Sequence, residues 1–380
     1  MSSAANSDEV IQKAFNSWIT KYDKKFPDNA TYTAAYNIFS STYMSLSRQQ
    51  LKYYNGESKF LMKPNRHSCD DSYLKSATRG LILDSDISFT VGTNENNVVQ
   101  GRAVPPSYPT PPASLDYRTM GYVTSVKDQG PTCSSCYAFA ANCALEGQLA
   151  KKHGVLPVMS EQNILDCSYN ATYGNYGCGG GSLGTSFKYI VKNPGVANDT
   201  QYPYAGVNQN CSYNPSMFSA TAKAYYYVTG NEAYLKSALA AIGPLAIGVR
   251  ADLDSFLYYS SGIYDDTLCD ATLNHAMCLV GYGTDSTVSP PVDYWILKNS
   301  WSSDWGENGY MRLQMGSSLC GISSYTVYPT NKMTSQAPQT INNVFPKRRQ
   351  NLLKERGWGY RDAYLYFDKA ENAVRFHGKR

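Results

Sequence analysis

The stretch Asp128-Gln129-Gly130-Pro131-Thr132-Cys133-Ser134-Ser135-Cys136-Tyr137-Ala138-Phe139 is a turn rich in small residues that runs into a helix. The helical pattern continues to Lys151-Lys152-His153-Gly154, where basic residues suit a last turn and glycine is a natural stop. Cys136 then stands at a helix N-terminus, where aligned amide dipoles favour a thiolate over a thiol. Taken alone, the Cys133-x-x-Cys136 spacing fits a redox pair, half a zinc site or one thiol of two structural bridges equally well.

A cysteine nucleophile needs a base or an imidazolium partner, and the chain has 4 histidines. His67 precedes a proline-rich stretch, His153 serves as a cation at the helix end, and His377 lies in a basic tail. His275 is left, in Leu273-Asn274-His275-Ala276-Met277-Cys278-Leu279-Val280-Gly281-Tyr282-Gly283. That segment reads as a strand presenting His275 near its start; a core histidine satisfied by backbone is the plain alternative. An imidazole must also be held in one tautomer, usually by an acceptor on its second nitrogen. Asn299, in Lys298-Asn299-Ser300-Trp301-Ser302-Ser303-Asp304-Trp305-Gly306-Glu307-Asn308-Gly309-Tyr310, supplies such an oxygen. Trp301 and Trp305 stand close enough in sequence to shield that bond from water. As a bare pattern, the run also fits a Gly-rich hairpin with core tryptophans.

The composition around these motifs narrows the class. With 380 residues, 42% hydrophobic and 13% aromatic, the chain has enough apolar surface to offset chain entropy, and its length suggests two or three domains. The longest apolar stretch, Ala238 to Val249, is 12 residues and is interrupted by Gly243 and Pro244, too short to span a membrane. The formal charge of +4 is unevenly placed. Residues 331–380 hold 11 Lys or Arg against 4 Asp or Glu, leaving 23 against 26 in the first 330. Basic residues confined to a short tail do not make the stripe that nucleic-acid binding needs. Nine of the 10 cysteines fall between 133 and 320, a density that points to disulfides and an oxidising compartment. Glycosylation triplets begin at Asn29, Asn170, Asn198 and Asn210 and agree with that compartment. The first residues lack a basic start and an apolar core, so no signal peptide is visible and the start reads as truncated or misassigned.

Residues 8–55 have helical periodicity, with Phe15, Trp18 and Tyr22 at spacings of three and four and then Tyr36, Phe39 and Tyr43. Residues 90–113, with Pro105, Pro106, Pro109, Pro111 and Pro112, have the composition of an exposed linker where nicking concentrates.

In combination, the Gln-Gly…Cys-x-x-Cys-aromatic start, the Asn-His-Ala strand and the Asn-Ser-Trp…Trp-Gly-Glu-Asn-Gly-Tyr run resemble the papain-like cysteine proteases, within them the cathepsin L-like group. Ser160-Glu161-Gln162-Asn163-Ile164-Leu165-Asp166-Cys167 and Gly177-Cys178-Gly179-Gly180-Gly181 add two more blocks. The resemblance implies an α+β fold in two parts, a helical half and a β-barrel-like half with the active-site groove between them. It implies a cysteine endopeptidase with Cys136 as nucleophile, His275 as proton partner, Asn299 as orienting residue and Gln129 as side-chain donor of the oxyanion hole. Gly180, Gly181, Leu183, Ala276, Tyr325 and Trp301 would bind substrate, with Tyr325 near the base of the S2 pocket. Bridges Cys133 with Cys178, Cys167 with Cys211, and Cys269 with Cys320 are implied. Cys143 and Cys278 are expected to pack as small apolar residues, and no pairing is implied for Cys69. No cofactor or metal is expected. The expected partners are protein and peptide substrates, the chain's own propeptide and cystatin-type inhibitors, with no nucleic acid or membrane. The expected location is lysosomal or extracellular.

The chain departs from the family pattern at Ser134 and Ser302, where glycine is usual, and at Tyr137, where tryptophan is usual. None of these removes a reacting group, but reduced activity, or a catalytically silent binding protein on the same fold, is the alternative. Phe15-Asn16-Ser17-Trp18-Ile19-Thr20-Lys21-Tyr22 resembles the start of the family's inhibitory propeptide. The expected organisation is an inhibitory helical region (1–89), an activation linker (90–111) cut between about Val98 and Pro112, a peptidase domain (112–330) and a basic extension (331–380). Within that extension, residues 346–362 look like the front of alkylglycerone-phosphate synthase; a fused or mispredicted gene is the preferred explanation, a basic tail for targeting or anionic partners is the alternative, and no flavin chemistry is implied.

Overall fold

The computed structural model describes residues 2–69, 78, 80–84, 100–102, 108–170, 173–228, 230–330, 334–335, 363–368 and 373–378, with backbone alone for 2–7, 100–102 and everything beyond 330. The chain divides into two units, Met1–Ser335 and Gln336–Arg380.

The helical periodicity near the start resolves into α1 (Ser2–Lys21) and α2 (Asn29–Tyr54). Asp28 divides them: its carboxylate accepts the backbone N–H of Thr31 at 2.7 Å, capping α2. Phe15, Trp18 and Phe39 face one another, with the Phe15 ring 5.8 Å from Trp18 and 5.1 Å from Phe39. They form a small aromatic core of their own. Beyond α2, β1 (Phe60–Met62) pairs antiparallel with residues 259–262 of the main sheet and buries Phe60 there.

Of the expected linker, Gln100–Arg102 form β2, parallel to residues 225–227. Residues 90–99 and 103–107 lie outside the described residues. A short strand, β3 (Leu115–Asp116), then leads into the helical half. Its central element is α3 (Cys136–His153), buried from Cys136 to Ala150 and ended by Gly154 at φ 69°. Around it lie α4 (Glu161–Cys167) and α5 (Leu183–Lys192), whose N-termini are capped by the hydroxyls of Ser160 and Ser182. The small sheet here comprises β4 (Val196–Ala197), β5 (Phe218–Thr221) and β13 (Thr334–Ser335). Thr334 pairs with Thr221, so the first unit runs a few residues past the boundary expected at 330.

The β half is built from β6 (Ala224–Val228), β7 (Leu245–Val249), β8 (Tyr259–Tyr264), β9 (His275–Asp285), β10 (Val292–Lys298), β11 (Tyr310–Gln314) and β12 (Thr326–Thr330). The order is β1-β8-β11-β10-β9-β7-β12-β6-β2, with β3 on β9. Two helices, α6 (Glu232–Ile242) and α7 (Asp254–Leu257), contribute to its core, which includes Leu239, Phe256, Leu279, Trp295 and Leu313. A second core, with Ala141, Leu145, Ile164 and Phe187, fills the helical half. In the second unit, β14 (Ala363–Asp368) and β15 (Ala373–Gly378) form an antiparallel pair.

Disulfides join Cys133 to Cys178, Cys167 to Cys211 and Cys269 to Cys320. Cys143 and Cys278, expected to be packing residues, are corrected to a fourth bridge, with Cα atoms 6.2 Å apart. The reason is one of faces. Seven residues are two helical turns, so Cys143 shares a face of α3 with Cys136, while Cys278 shares a face of β9 with Ala276. Where those two faces meet, the thiols meet. Because this bridge spans 135 residues, Cys143→Ala/Cys278→Ala is expected to lower stability by about 2–4 kcal/mol. Denaturant unfolding of the zymogen would measure it; an unchanged midpoint and slope would show that no bridge forms.

Candidate active site

Cys136 is the first residue of α3 and His275 the first of β9, and both side chains are fully buried. His275 Nε2 lies 2.8 Å from Asn299 Oδ1. The same oxygen accepts the Ser300 N–H at 2.8 Å, which fixes the amide orientation and makes Nε2 the protonated ring nitrogen. The Trp301 ring stands 4.6 Å from the imidazole, and it packs in turn on Phe256 and Trp305. The histidine–asparagine bond is thus walled from solvent by indole.

Gln129 is tied to the same loop as Asn299. Its backbone N–H donates to Ser300 O at 2.8 Å, and its Oε1 accepts the Ser300 hydroxyl at 2.7 Å. That leaves Nε2 facing the turn before α3, where it donates to Cys133 O at 3.1 Å. A second amide hydrogen on Nε2 remains for another acceptor.

A segment from the N-terminal region lies in the groove. Gly181 N donates to Gly80 O at 2.9 Å, Ile82 N donates to Gly181 O at 2.9 Å, and Leu81 N donates to Asn274 O at 3.2 Å. Gly80 passes directly over the thiol: a Cβ there would stand 2.7 Å from Cys136 Sγ and 2.6 Å from Ser134 O. The Leu81 side chain is buried in the cluster that also contains Leu183, Ala276 and Tyr325. Gly181, Leu183, Ala276 and Tyr325 are therefore gathered around this segment. Gly180 instead bonds to Tyr176 and Gly177 within its own loop, and Trp301 sits against His275 in the other core.

This closure changes the thiol. Burial pushes Cys136 up to about 12, outweighing the backbone N–H groups of Ala276, Tyr137 and Cys136 itself, which pull the other way. The helix N-terminus alone would favour a thiolate; with water excluded, desolvation wins.

Two of the three departures from the family pattern are absorbed locally. Tyr137 is fully buried and its hydroxyl donates to Gly177 O at 2.9 Å, bracing the glycine loop. Ser302 adopts φ 62°, the left-handed backbone that glycine usually supplies.

Below the site lies a charge cluster that the motifs did not announce. Lys127 Nζ is 2.7 Å from Glu161 Oε2, and the Glu146 carboxylate accepts Thr124 Oγ1 and Met159 N, each at 2.8 Å. Lys298 Nζ donates to Thr124 at 2.9 Å. Burial pushes Glu161 up to about 7 against the pull of Lys127, and it depresses Lys298. These groups line a cavity of about 20 Å³ that Asn299 also borders. Glu161 stands inside a recognisable block, but nothing in the spacing of Lys127, Glu146 and Lys298 marks them as neighbours.

Because Gly80 leaves no room for a side chain, Gly80→Val is expected to lift the segment from the thiol. Iodoacetamide labelling of Cys136 at pH 7, located by peptide mapping, should be slow in the unprocessed chain and at least tenfold faster in the variant. Equal labelling rates would contradict the masking geometry.

Comparison with known proteins agrees with this architecture. The papain family cysteine protease family matches residues 111–330. Cathepsin L of Sarcophaga peregrina is 43% identical over 230 residues, covering 60% of this chain and 66% of that protein. Cathepsin K of Mus musculus is 34% identical over 334 residues, 87% of this chain and 96% of that protein. Digestive procathepsin L 3 of Tenebrio molitor larval midgut superposes with a TM-score of 0.73 at 32% identity, covering 84% of this chain and 99% of that structure. The aromatic helical module, the closed groove and the two-core peptidase region thus have one explanation: the chain belongs to the papain family of cysteine proteases, in its cathepsin L-like group, and is built as a zymogen.

Proposed function

We propose that this cysteine endopeptidase works through Cys136 as nucleophile, His275 as proton carrier, Asn299 as orienting acceptor and Gln129 as oxyanion donor. The observation that carries this reading is the 2.8 Å bond from His275 Nε2 to Asn299 Oδ1, next to a cysteine at a helix N-terminus. With Nε2 committed to Asn299, Nδ1 is the nitrogen that exchanges protons with the thiol.

Departure of the inhibitory segment re-admits water and substrate, and the proton of Cys136 passes to His275 to give a thiolate–imidazolium pair. The thiolate attacks the peptide carbonyl carbon, and the resulting oxyanion is stabilised by Gln129 Nε2 and the backbone N–H of Cys136. Collapse breaks the C–N bond as the imidazolium protonates the leaving amine, leaving an acyl-enzyme. His275 then takes a proton from water, whose oxygen attacks the thioester, and the thiol leaves with the proton.

In this reading, residues 1–89 are the inhibitory region, 90–111 the activation linker, 112–330 the peptidase domain and 331–380 a basic extension. Four disulfides support a lysosomal or extracellular location. Cystatin-type proteins are the natural external inhibitors of such a groove. The Tyr325 ring closes the pocket that Leu81 fills, which supports a preference for modest apolar P2 side chains over large aromatics.

Matured protein incubated with an epoxide thiol-protease inhibitor is expected to carry the adduct on Cys136, read by mass spectrometry. Gln129→Ala should keep that site and lose roughly a hundred- to a thousand-fold in kcat. An absent adduct together with no peptide hydrolysis would overturn the assignment. N-terminal sequencing of the mature enzyme should begin between Val98 and Pro112. A peptide profile led by P2 Phe or Trp would reject the pocket reading.

A further inference from the structure

Beside Leu81, the N-terminal segment makes a second contact with the groove that apolar filling does not explain. The Asp84 carboxylate is held by three hydroxyls. Tyr227 and Tyr325 each donate to Oδ2 at 2.7 Å, and the Ser182 hydroxyl donates to Oδ1. With Asp84 in place, Tyr227 and Tyr325 are 3% and 4% exposed, so the carboxylate is held on two hydroxyls shielded from water. Tyr325 OH also lies 3.2 Å from Ser182 Oγ and accepts the Gly184 N–H at 3.3 Å. Ser182 and Gly184 stand at the N-terminus of α5, a ten-residue helix whose dipole favours negative charge there. The approach depends on Gly184 having no side chain, since a Cβ would collide with both the Asp84 carboxylate and the Tyr227 hydroxyl.

The same tyrosine serves both contacts. A Cβ built on Gly248 would lie 2.8 Å from Leu81 Cδ2 and 3.1 Å from Tyr325 Cδ1, so the Tyr325 ring borders the apolar pocket while its hydroxyl reaches Asp84. The apolar pocket and the hydroxyl cluster are therefore contiguous along one wall of the groove, next to the Gly181 backbone that pairs with the bound segment.

We propose that this hydroxyl cluster is a carboxylate-accepting subsite of the mature peptidase, occupied by Asp84 in the zymogen and by an Asp or Glu side chain at P2 or P3 of a substrate. The proposal rests on the peptidase reading above. Once Asp84 leaves with the inhibitory segment, three clustered hydroxyls lose a charged acceptor. A carboxylate arriving with substrate restores those bonds, and hydrogen bonds to a charged group are worth more than those to a neutral one. Recognition comes from neutral donors and a helix terminus, so the expected discrimination between a carboxylate and its isosteric amide is moderate.

The test uses the matured full-length product and fluorogenic peptides that differ only in bearing Glu, Gln or Leu at P2, or the same three at P3, at pH 6. Glu is expected to exceed Gln by roughly tenfold in kcat/KM at one of the two positions. In Tyr227→Phe/Tyr325→Phe that ratio should fall towards one, with the Leu peptide measuring how well the variant's groove still works. Tyr227→Phe alone gives the same readout if the double variant does not fold. Equal turnover of Glu and Gln peptides at both positions would overturn the subsite, as would a Glu preference that survives in the variants. Failure to cleave any peptide, Leu included, with no epoxide adduct on Cys136 would instead overturn the peptidase reading itself.

Discussion

The groove depends on one seam, the N-terminal turns of α3 laid against the first residues of β9. The proposed nucleophile belongs to the helical core and the proposed proton carrier to the sheet, so neither half holds both. Small side chains let these elements approach: Ala140, Ala144 and Ala276 share a buried cluster with Cys136. The Cys143–Cys278 bridge ties the same two elements covalently, two helical turns below the thiol. Beneath them, Lys127 pairs with Glu161, and the Thr124 hydroxyl links Lys298 to the Glu146 carboxylate, in a region that penalises an unpartnered charge. Rigidity at the seam is what a two-residue site needs, because small displacements of the reacting atoms are expensive in rate.

The N-terminal region occupies that seam. It takes the backbone partners Gly181 and Asn274, fills the apolar pocket with Leu81 and lays the bare backbone of Gly80 over the sulfur. Its hold comes from elsewhere: β1 adds an edge strand to β8, Trp18 Nε1 donates to Asn65 O at 2.7 Å, and Asn65 Nδ2 donates to Leu257 O at 2.9 Å. Surface pairs such as Arg66 with Asp128 add little beside strand pairing and the burial of Phe60. Tethering supplies the remaining advantage, since a covalently attached segment competes at high effective concentration.

Much of this was legible in the residues. The periodic aromatics of α1 and α2, the stop at Gly154, the strand that begins at His275 and the amide oxygen offered by Asn299 are local properties, read from spacing and side-chain chemistry. Resemblance supplied the three family bridges and the role proposed for Gln129. The Cys143–Cys278 bridge was not legible, because it depends on which face of a helix meets which face of a strand. The buried charge cluster was hidden for the same reason: its members are scattered from Lys127 to Lys298, and become neighbours only where the loop at Lys127, α3, α4 and β10 converge on one cavity. Asp84 carried no sequence signal at all.

By itself, the sequence determined the elements, their order and the chemical identities of the groups proposed to react, because helix caps, strand alternation and nucleophile choice are short-range matters. Only the tertiary structure decided the ionisation of Cys136, the fourth bridge and the company Asp84 keeps. Those three follow from exclusion of water and from the meeting of distant faces, and both are properties of the packed chain.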